Sequence, residues 1–362
     1  MTYSRRSLRA RLATPGHLLL IYGGALLAGL IAQWLRFPLP WMIGAMMFAA
    51  ALRLAEQPLH VPAYTRQIGQ VLVASSVGLS FTPEAVRTLG SLLIPMVGAA
   101  FATIALSSTV AALLMRMTRI DVVTATLASI PMGPVESATL AERHGVPVGP
   151  VVLSQILRIM LLVVSVPPVI VALDGTITDP AQALARMDWT APGALLLFLA
   201  GAGGALLAGQ VRLANPFFVG ALGGAAMAAA FSLPLTPYPY PLLVLAQIFL
   251  GVWLGAVFDR ALLRKARGLI AGAFLSSVLL IALCLGMGLM LGFFIGQSWQ
   301  VMLLSTAPGS VTEMALTAKI LNEGLATVTA FHLVRIFIIL PLAGMIIGLT
   351  ARLARHTAPR GS

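Results

Sequence analysis

The chain has 362 residues, of which 59% are hydrophobic and only 9% charged, with a formal net charge of +12. A soluble globular domain carries about 25% charged residues, so this composition excludes one and describes a chain that is almost entirely membrane domain. The positive charge does not signal nucleic acid: the arginines fall in short connections between apolar runs, no basic patch is interleaved with aromatics, and no helix-turn-helix or finger spacing occurs.

Apolar runs of bilayer-spanning length, which need about 20 residues, recur from end to end. The N-terminal Ser4-Arg5-Arg6-Ser7-Leu8 resembles a twin-arginine signal. No small-residue cleavage site ends the first apolar run, so the segment reads as an uncleaved cytoplasmic anchor. Spans are predicted at about 17–35, 39–54, 67–81 and 90–115, with a turn at Arg36-Phe37-Pro38, a polar connection marked by Arg53, Glu56, His60 and Arg66, and a helix start at Pro83-Glu84. The segment 121–143 is apolar but interrupted by Pro131, Gly133 and Pro134. Each proline removes a backbone donor and clashes with the preceding turn, so the segment is predicted to run as two half-helices. Such a break is tolerated at membrane depth only inside protein or beside a wet cavity. A span over 148–173 closes the first half.

The second half repeats this order. Gly204–Gly209 (GALLAG) repeats Gly24–Gly29, and Pro216–Gly220 answers Pro40–Gly44. At a constant offset of 177 residues, Gln70 matches Gln247, Gly78 matches Gly255, Pro131 matches Pro308, Glu136 matches Glu313 and Arg158 matches Arg335. Rare polar residues do not align by composition alone, so the chain is internally duplicated. The predicted division is a cytoplasmic tail over 1–16, a membrane repeat over 17–173, a periplasmic linker over 174–191, a second repeat over 192–351 and a cytoplasmic tail over 352–362. If the interrupted segment of each half is re-entrant, each half crosses five times and the repeats are inverted. With both termini inside, that arrangement puts 17 of the 23 lysines and arginines inside and four outside, with Arg158 and Arg335 within spans. Parallel repeats split the loop charges about 12 to 9 and place Arg260–Arg267 outside, so the positive-inside rule favours inversion. The expectation is an all-α, multi-pass protein of the bacterial inner membrane.

Glu136 and Glu313 are costly within a bilayer, where a central charge is disfavoured by about 2.5–3.5 kcal/mol on insertion scales. Each is a candidate proton or cation site, and each equally suits the cap of the half-helix that follows its break. Arg158 and Arg335 lie about 15 Å into the last span of each half. They suit an anionic solute or a proton-relay partnership with the glutamates, or structural Glu136–Arg158 and Glu313–Arg335 pairs, the last being the more expected. Gln155 and His332 each stand three residues before an arginine, on the same helix face. His332 is either a titrating group or a satisfied interior donor. Ser129, Ser137, Thr306, Ser310 and Thr312 surround the breaks together with Gly309. Their hydroxyls could coordinate sodium or satisfy interrupted backbone, and half-helix N-termini could face an anion. Gln70 and Gln247 read as interhelical hydrogen bonds. No Walker motif, metal-ligand spacing or nucleophile–base pair is present, so neither a cofactor nor an enzymatic role is expected, and the lone Cys284 reads as a buried thiol.

The motifs PMGPVES (Pro131–Ser137), PGSVTEM (Pro308–Met314) and PWMIGA (Pro40–Ala45), with the duplicated glutamate and arginine, resemble the duplicated bacterial integral membrane family labelled AbrB. The resemblance covers about residues 17–352. Members of that family also carry regulator and ammonia monooxygenase labels. The regulator label implies an effect on gene expression that, without nucleic-acid contact, is indirect; the monooxygenase label would need a metal site that is not readable here. The halves are also similar in architecture to inverted-repeat secondary transporters, a fold-level analogy only. The leading expectation is a proton- or cation-coupled secondary transporter moving a small, anionic solute by alternating access. The alternative is a membrane-embedded sensor or regulator that binds a small molecule or ion without moving it. The expected partners are the lipid bilayer and that ligand, with homo-oligomerisation left open.

Overall fold

The computed structural model describes residues 15–357 apart from 36, 38, 58, 60, 82–86, 88, 175–187, 212, 214 and 258–266. The expected turn at Arg36 and Pro38, the helix start at Pro83-Glu84, most of the linker, the cluster Arg260–Lys265, most of the N-terminal tail and residues 358–362 lie outside the described residues. Fifteen α-helices are described. In the first half they are α1 (Pro15–Trp34), α2 (Pro40–Leu54), α3 (Ala63–Gly78), α4 (Leu93–Thr118), α5 (Val122–Ser129), α6 (Pro134–Arg143) and α7 (Val148–Asp174). In the second they are α8 (Ala191–Gln210), α9 (Pro216–Ala230), α10 (Tyr240–Ala256), α11 (Arg267–Ile295), α12 (Trp299–Thr306), α13 (Val311–Leu321), α14 (Leu325–Ile339) and α15 (Ala343–Thr357).

Among the described residues four helices are long and apolar enough to cross a membrane: α4, α7, α8 and α11. A fifth crossing is made if α14 and α15, bent by 78°, are counted together. That bend departs from the single last span expected of each half. It falls at Pro341, which cannot donate to the preceding turn, whereas Pro167 and Pro168 lie inside an unbroken α7. Several expected crossings, α2, α9 and α10 among them, are apolar helices of 10–17 residues. Apolar side chains cover the periphery, with Leu19, Leu20, Leu195, Leu206, Phe293 and Phe294 all exposed.

The interruptions fall where the prolines require. The residue before a proline is pushed out of the helical region, and Ile130 and Ala307 both turn extended, at ψ 128° and 131°. Each first half-helix is capped at its start. The Asp121 carboxylate accepts from the Thr124 amide at 2.8 Å, and the Ser298 hydroxyl, its counterpart 177 residues on, accepts from the Val301 amide at 3.4 Å. Pro134 supplies the first residue of α6, where its missing N–H has no helical partner to lose.

The halves interlock by one contact made twice. A methyl group on Gly78 of α3 would stand 2.8 Å from the Leu222 carbonyl oxygen of α9, and one on Gly255 of α10 would meet the Met46 carbonyl of α2 and stand 2.8 Å from Ala49 Cβ. The third helix of each half thus packs backbone-close on the second helix of the other. Trp41 adds a hydrogen bond from its indole N–H to the Tyr240 hydroxyl at 2.8 Å. The main core draws on both halves, from Met42 and Val73 to Phe218, Leu250 and Val311. The GALLAG repeat is one helical turn out of structural register. Gly44 packs on the carbonyl of Ala28, and its counterpart Gly220 packs on the carbonyl of Gly204, so Gly204 takes the place of Ala28 rather than of Gly24.

Candidate functional site

A broken helix leaves carbonyls without partners at the end of one piece and amides without partners at the start of the next. The end of α5 is closed by side chains of α7. Gln155 Nε2 donates to the carbonyls of Leu127 (2.7 Å) and Ile130 (2.8 Å). Arg158 donates through Nη1 to the carbonyls of Ala128 (3.1 Å) and Ser129 (3.0 Å), and through Nη2 to that of Ile130 (3.1 Å) and to the Gln155 side-chain oxygen. Its Nε reaches the other half and donates to the Pro308 carbonyl at 3.1 Å. A cation at a helix C-terminus also meets the negative end of the helix dipole. The two breaks are therefore in contact, and a guanidinium only 2% exposed joins them.

The end of α12 is closed similarly but less completely. His332 Nε2 lies 3.0 Å from the Leu304 carbonyl. Arg335 donates through Nη1 to the Ala307 carbonyl at 2.7 Å and through Nη2 to the Gly309 carbonyl. Arg335 Nε and His332 Nδ1 are buried without a hydrogen-bond partner. The expected Glu136–Arg158 and Glu313–Arg335 pairs do not form among the described residues. The guanidiniums donate instead to the unpartnered carbonyls at the interrupted helix ends, which are fixed acceptors within their reach.

Glu136 and Glu313 occupy the first turns of α6 and α13, where a carboxylate faces the positive end of the helix dipole. At α13 the Ser310 hydroxyl accepts from the Thr312 amide at 3.3 Å, with Glu313 three residues after the cap. At α6 the cap is Gly133, and the Glu136 carboxylate folds over it into the space a side chain there would fill. Each glutamate keeps one buried oxygen, Oε2, without a partner, and Glu313 is only 5% exposed. Ser137 and Thr306 return their hydroxyls to carbonyls of their own helices, at 2.9 Å each. Ser129 and Thr312 leave theirs buried and unpartnered. Gln70 bridges helices, as expected, by donating to the Asn215 side-chain oxygen at 3.2 Å; Gln247 Oε1 has no partner.

A small cleft lies between the breaks, lined by Pro131, Gly133 and Glu136 from the first and by Gly309, Ser310 and Arg335 from the second half, with Asn215 at its wall. Its volume is about 20 Å³, above the 10–15 Å³ or so that one water needs. Two further residues of this region were not expected from sequence. Asn215 caps α9 in the left-handed conformation, at φ 51°. Arg66, in the first turn of α3, interacts electrostatically with both Glu136 and Glu313 and stacks at 4.1 Å over the Trp253 ring. The signal for both was departure from the repeat: residue 243, 177 after Arg66, is Leu243, and residue 39, 176 before Asn215, is Leu39.

The lengths and apolarity of these helices, with interrupted helices buried among them, define an all-α multi-pass membrane protein with matching helix contacts in its two halves. A family model described as "Transition state regulatory protein AbrB" matches residues 41–351, and the chain belongs to this AbrB family. It is similar to "Uncharacterized protein YhjN" of Bacillus subtilis (strain 168), 23% identical over 341 residues that cover 87% of this chain and 88% of the relative. It is also similar to "Putative regulator AbrB" of Escherichia coli (strain K12), 25% identical over 334 residues that cover 90% and 92%.

These findings overturn the expectation of a secondary transporter. The family's description and the E. coli relative's name are those of regulators, not of transport proteins. Arg158 and Arg335, for which an anionic solute was one of the readings, donate to backbone carbonyls. The family description is likewise that of a regulatory protein rather than an enzyme. Among the described residues no group of three or more His, Cys, Asp or Glu could hold a metal ion.

Proposed function

We propose that the chain is a membrane-embedded sensor or regulator that affects gene expression indirectly, with the meeting point of its two breaks as the place where a small molecule or ion is sensed. The observation that carries this reading, beside the family, is the set of unpartnered buried atoms at that point: Glu136 Oε2, Glu313 Oε2 and Arg335 Nε. Burying polar atoms without partners is unfavourable by about 1–3 kcal/mol each, a cost that a bound ligand or water offsets. Glu136, Glu313, Ser310 and Thr312 are the proposed ligand contacts, and Arg335 stands beside them with its Nη groups bound to the end of α12. Arg158, Gln155 and His332, with the breaks at Pro131, Gly133, Pro134, Pro308 and Gly309, hold the framework.

The topology that supports this reading is two inverted repeats of five crossings each, with residues 17–173 and 192–351 as the repeats, a periplasmic linker and both tails cytoplasmic. The distribution of lysine and arginine favours it, and reporter fusions at the linker and at the C-terminus test it. The functional test is transcript profiling of a deletion strain complemented with wild type or with Glu136→Gln/Glu313→Gln. Restoration by wild type and not by the double variant is expected. Profiles unchanged by the deletion itself would remove the regulatory reading.

A further inference from the structure

Three guanidiniums approach the two breaks, and among the described residues Arg158 and Arg335 donate to carbonyls there. Arg66 reaches in from the first turn of α3 with its Nε buried and unpartnered. It lies within electrostatic range of both glutamates without closing an ion pair to either among the described residues. Its guanidinium stacks on the face of Trp253, on α10, at 4.1 Å. Glu136 and Glu313 each present a buried oxygen with nothing bound to it, and Glu313 is more than nine-tenths buried.

Two carboxylates and an indole face are the groups that recognise an organic cation. Carboxylates accept from its N–H groups, and the ring quadrupole attracts its charge. Neither of the other arginines competes for this role, since Arg158 and Arg335 are tied to the ends of α5 and α12. We propose that Glu136, Glu313 and Trp253 form a recognition site for a monovalent organic cation of the guanidinium or alkylammonium class, with Arg66 as the chain's own tethered occupant. The proposal deepens the sensing role given above: it names the ligand class for the same carboxylates. An incoming cation takes the place of Arg66, and the displacement acts on α3 and α10, the two helices that make the exchanged glycine contacts between the halves.

The test is chemical rescue on purified protein in detergent. Arg66→Ala is expected to melt below wild type, and methylguanidinium to raise its melting temperature by about 2–4 °C over sodium chloride at equal concentration. The gain should disappear in Arg66→Ala/Glu313→Gln and in Arg66→Ala/Trp253→Leu. Arg66→Gln, which keeps an amide in place of the charge, serves as the second background if the alanine variant folds poorly. Equal response to methylguanidinium and sodium in folded Arg66→Ala or Arg66→Gln would overturn the proposal, as would a gain that survives Glu313→Gln. Rescue is read without transcription. A failed rescue beside an intact transcript response therefore removes the cation site alone, and the reverse result removes the regulatory role alone.

Discussion

Gln155 and His332 hold the same place in the two halves and bond corresponding carbonyls. Gln155 donates to Leu127 at 2.7 Å, and His332 Nε2 lies 3.0 Å from Leu304, each partner being 28 residues before its side chain. The glutamine does more than the histidine. Its amide reaches a second carbonyl and its oxygen accepts from Arg158, while His332 leaves Nδ1 buried and unpartnered. The two halves thus share a framework and differ in how completely it is satisfied.

His332→Gln should therefore be tolerated, because the amide can repeat the bond that Gln155 makes. His332→Leu should not: it strips the Leu304 carbonyl of its partner inside the protein, a loss of about 1–3 kcal/mol. Thermal unfolding in detergent checks both. A leucine variant as stable as wild type would show that the histidine does not close the end of α12.

The arginines should rank in the order of their bonds. Arg158 serves four backbone carbonyls and links the halves, whereas Arg335 serves two. Arg158→Met leaves several buried carbonyls bare and should cost at least about 3 kcal/mol, enough to reduce the yield of folded protein. Arg335→Met should cost less and leave a folded protein. Yield after membrane extraction and melting temperature measure the order, and equal losses would contradict it.

Much of this organisation was legible in the sequence. The interruptions could be placed to the residue because proline constrains the backbone whatever surrounds it, and the duplication because rare polar residues recur at one spacing. The partners of Arg158 and Arg335 could not be read. A guanidinium is satisfied equally by a carboxylate or by helix-end carbonyls, and only the path of the chain decides which lie within reach. Arg66 was assigned to a polar connection because it stands near a helix start. Its proximity to both glutamates depends on how α3 lies against the breaks of both halves, and spacing along the chain carries no such information. The GALLAG match misled for a related reason: small residues repeat every turn along an apolar helix, so an alignment can slip by four without losing its pattern.

The glycines that let the halves approach should be sensitive in pairs. Gly78→Ala and Gly255→Ala each place a methyl group against a neighbouring backbone carbonyl, which cannot move as a side-chain tip can. Each should destabilise by about 1–3 kcal/mol. Gly98→Ala is the control, since nothing lies within 4 Å of the added methyl group, and alanine is the better helix former by up to about 1 kcal/mol. Melting temperatures of the three variants decide it. A Gly78→Ala protein as stable as the control would mean that α3 and α9 do not pack this closely.

Asn215 should resist replacement by the residue its own repeat partner uses. Leu39 and Asn215 both cap helices in the left-handed conformation, at φ 59° and 51°. Asparagine visits that region with little penalty, while a residue such as leucine is disfavoured by about 1–2 kcal/mol. Asn215 also accepts the Gln70 amide at 3.2 Å, a bond whose loss costs about 0.5–1.5 kcal/mol. Asn215→Leu loses both and should fall by about 2–3 kcal/mol in sum. Asn215→Asp keeps an acceptor and a residue that tolerates the conformation, so it should stay nearer wild type. Leu39 survives the same strain because it is fully buried in the main core, a compensation that Asn215, at the wall of the cleft, does not have. A leucine variant that melts with the asparagine protein would show that this cap, and the Gln70 contact with it, contributes nothing to the folded state.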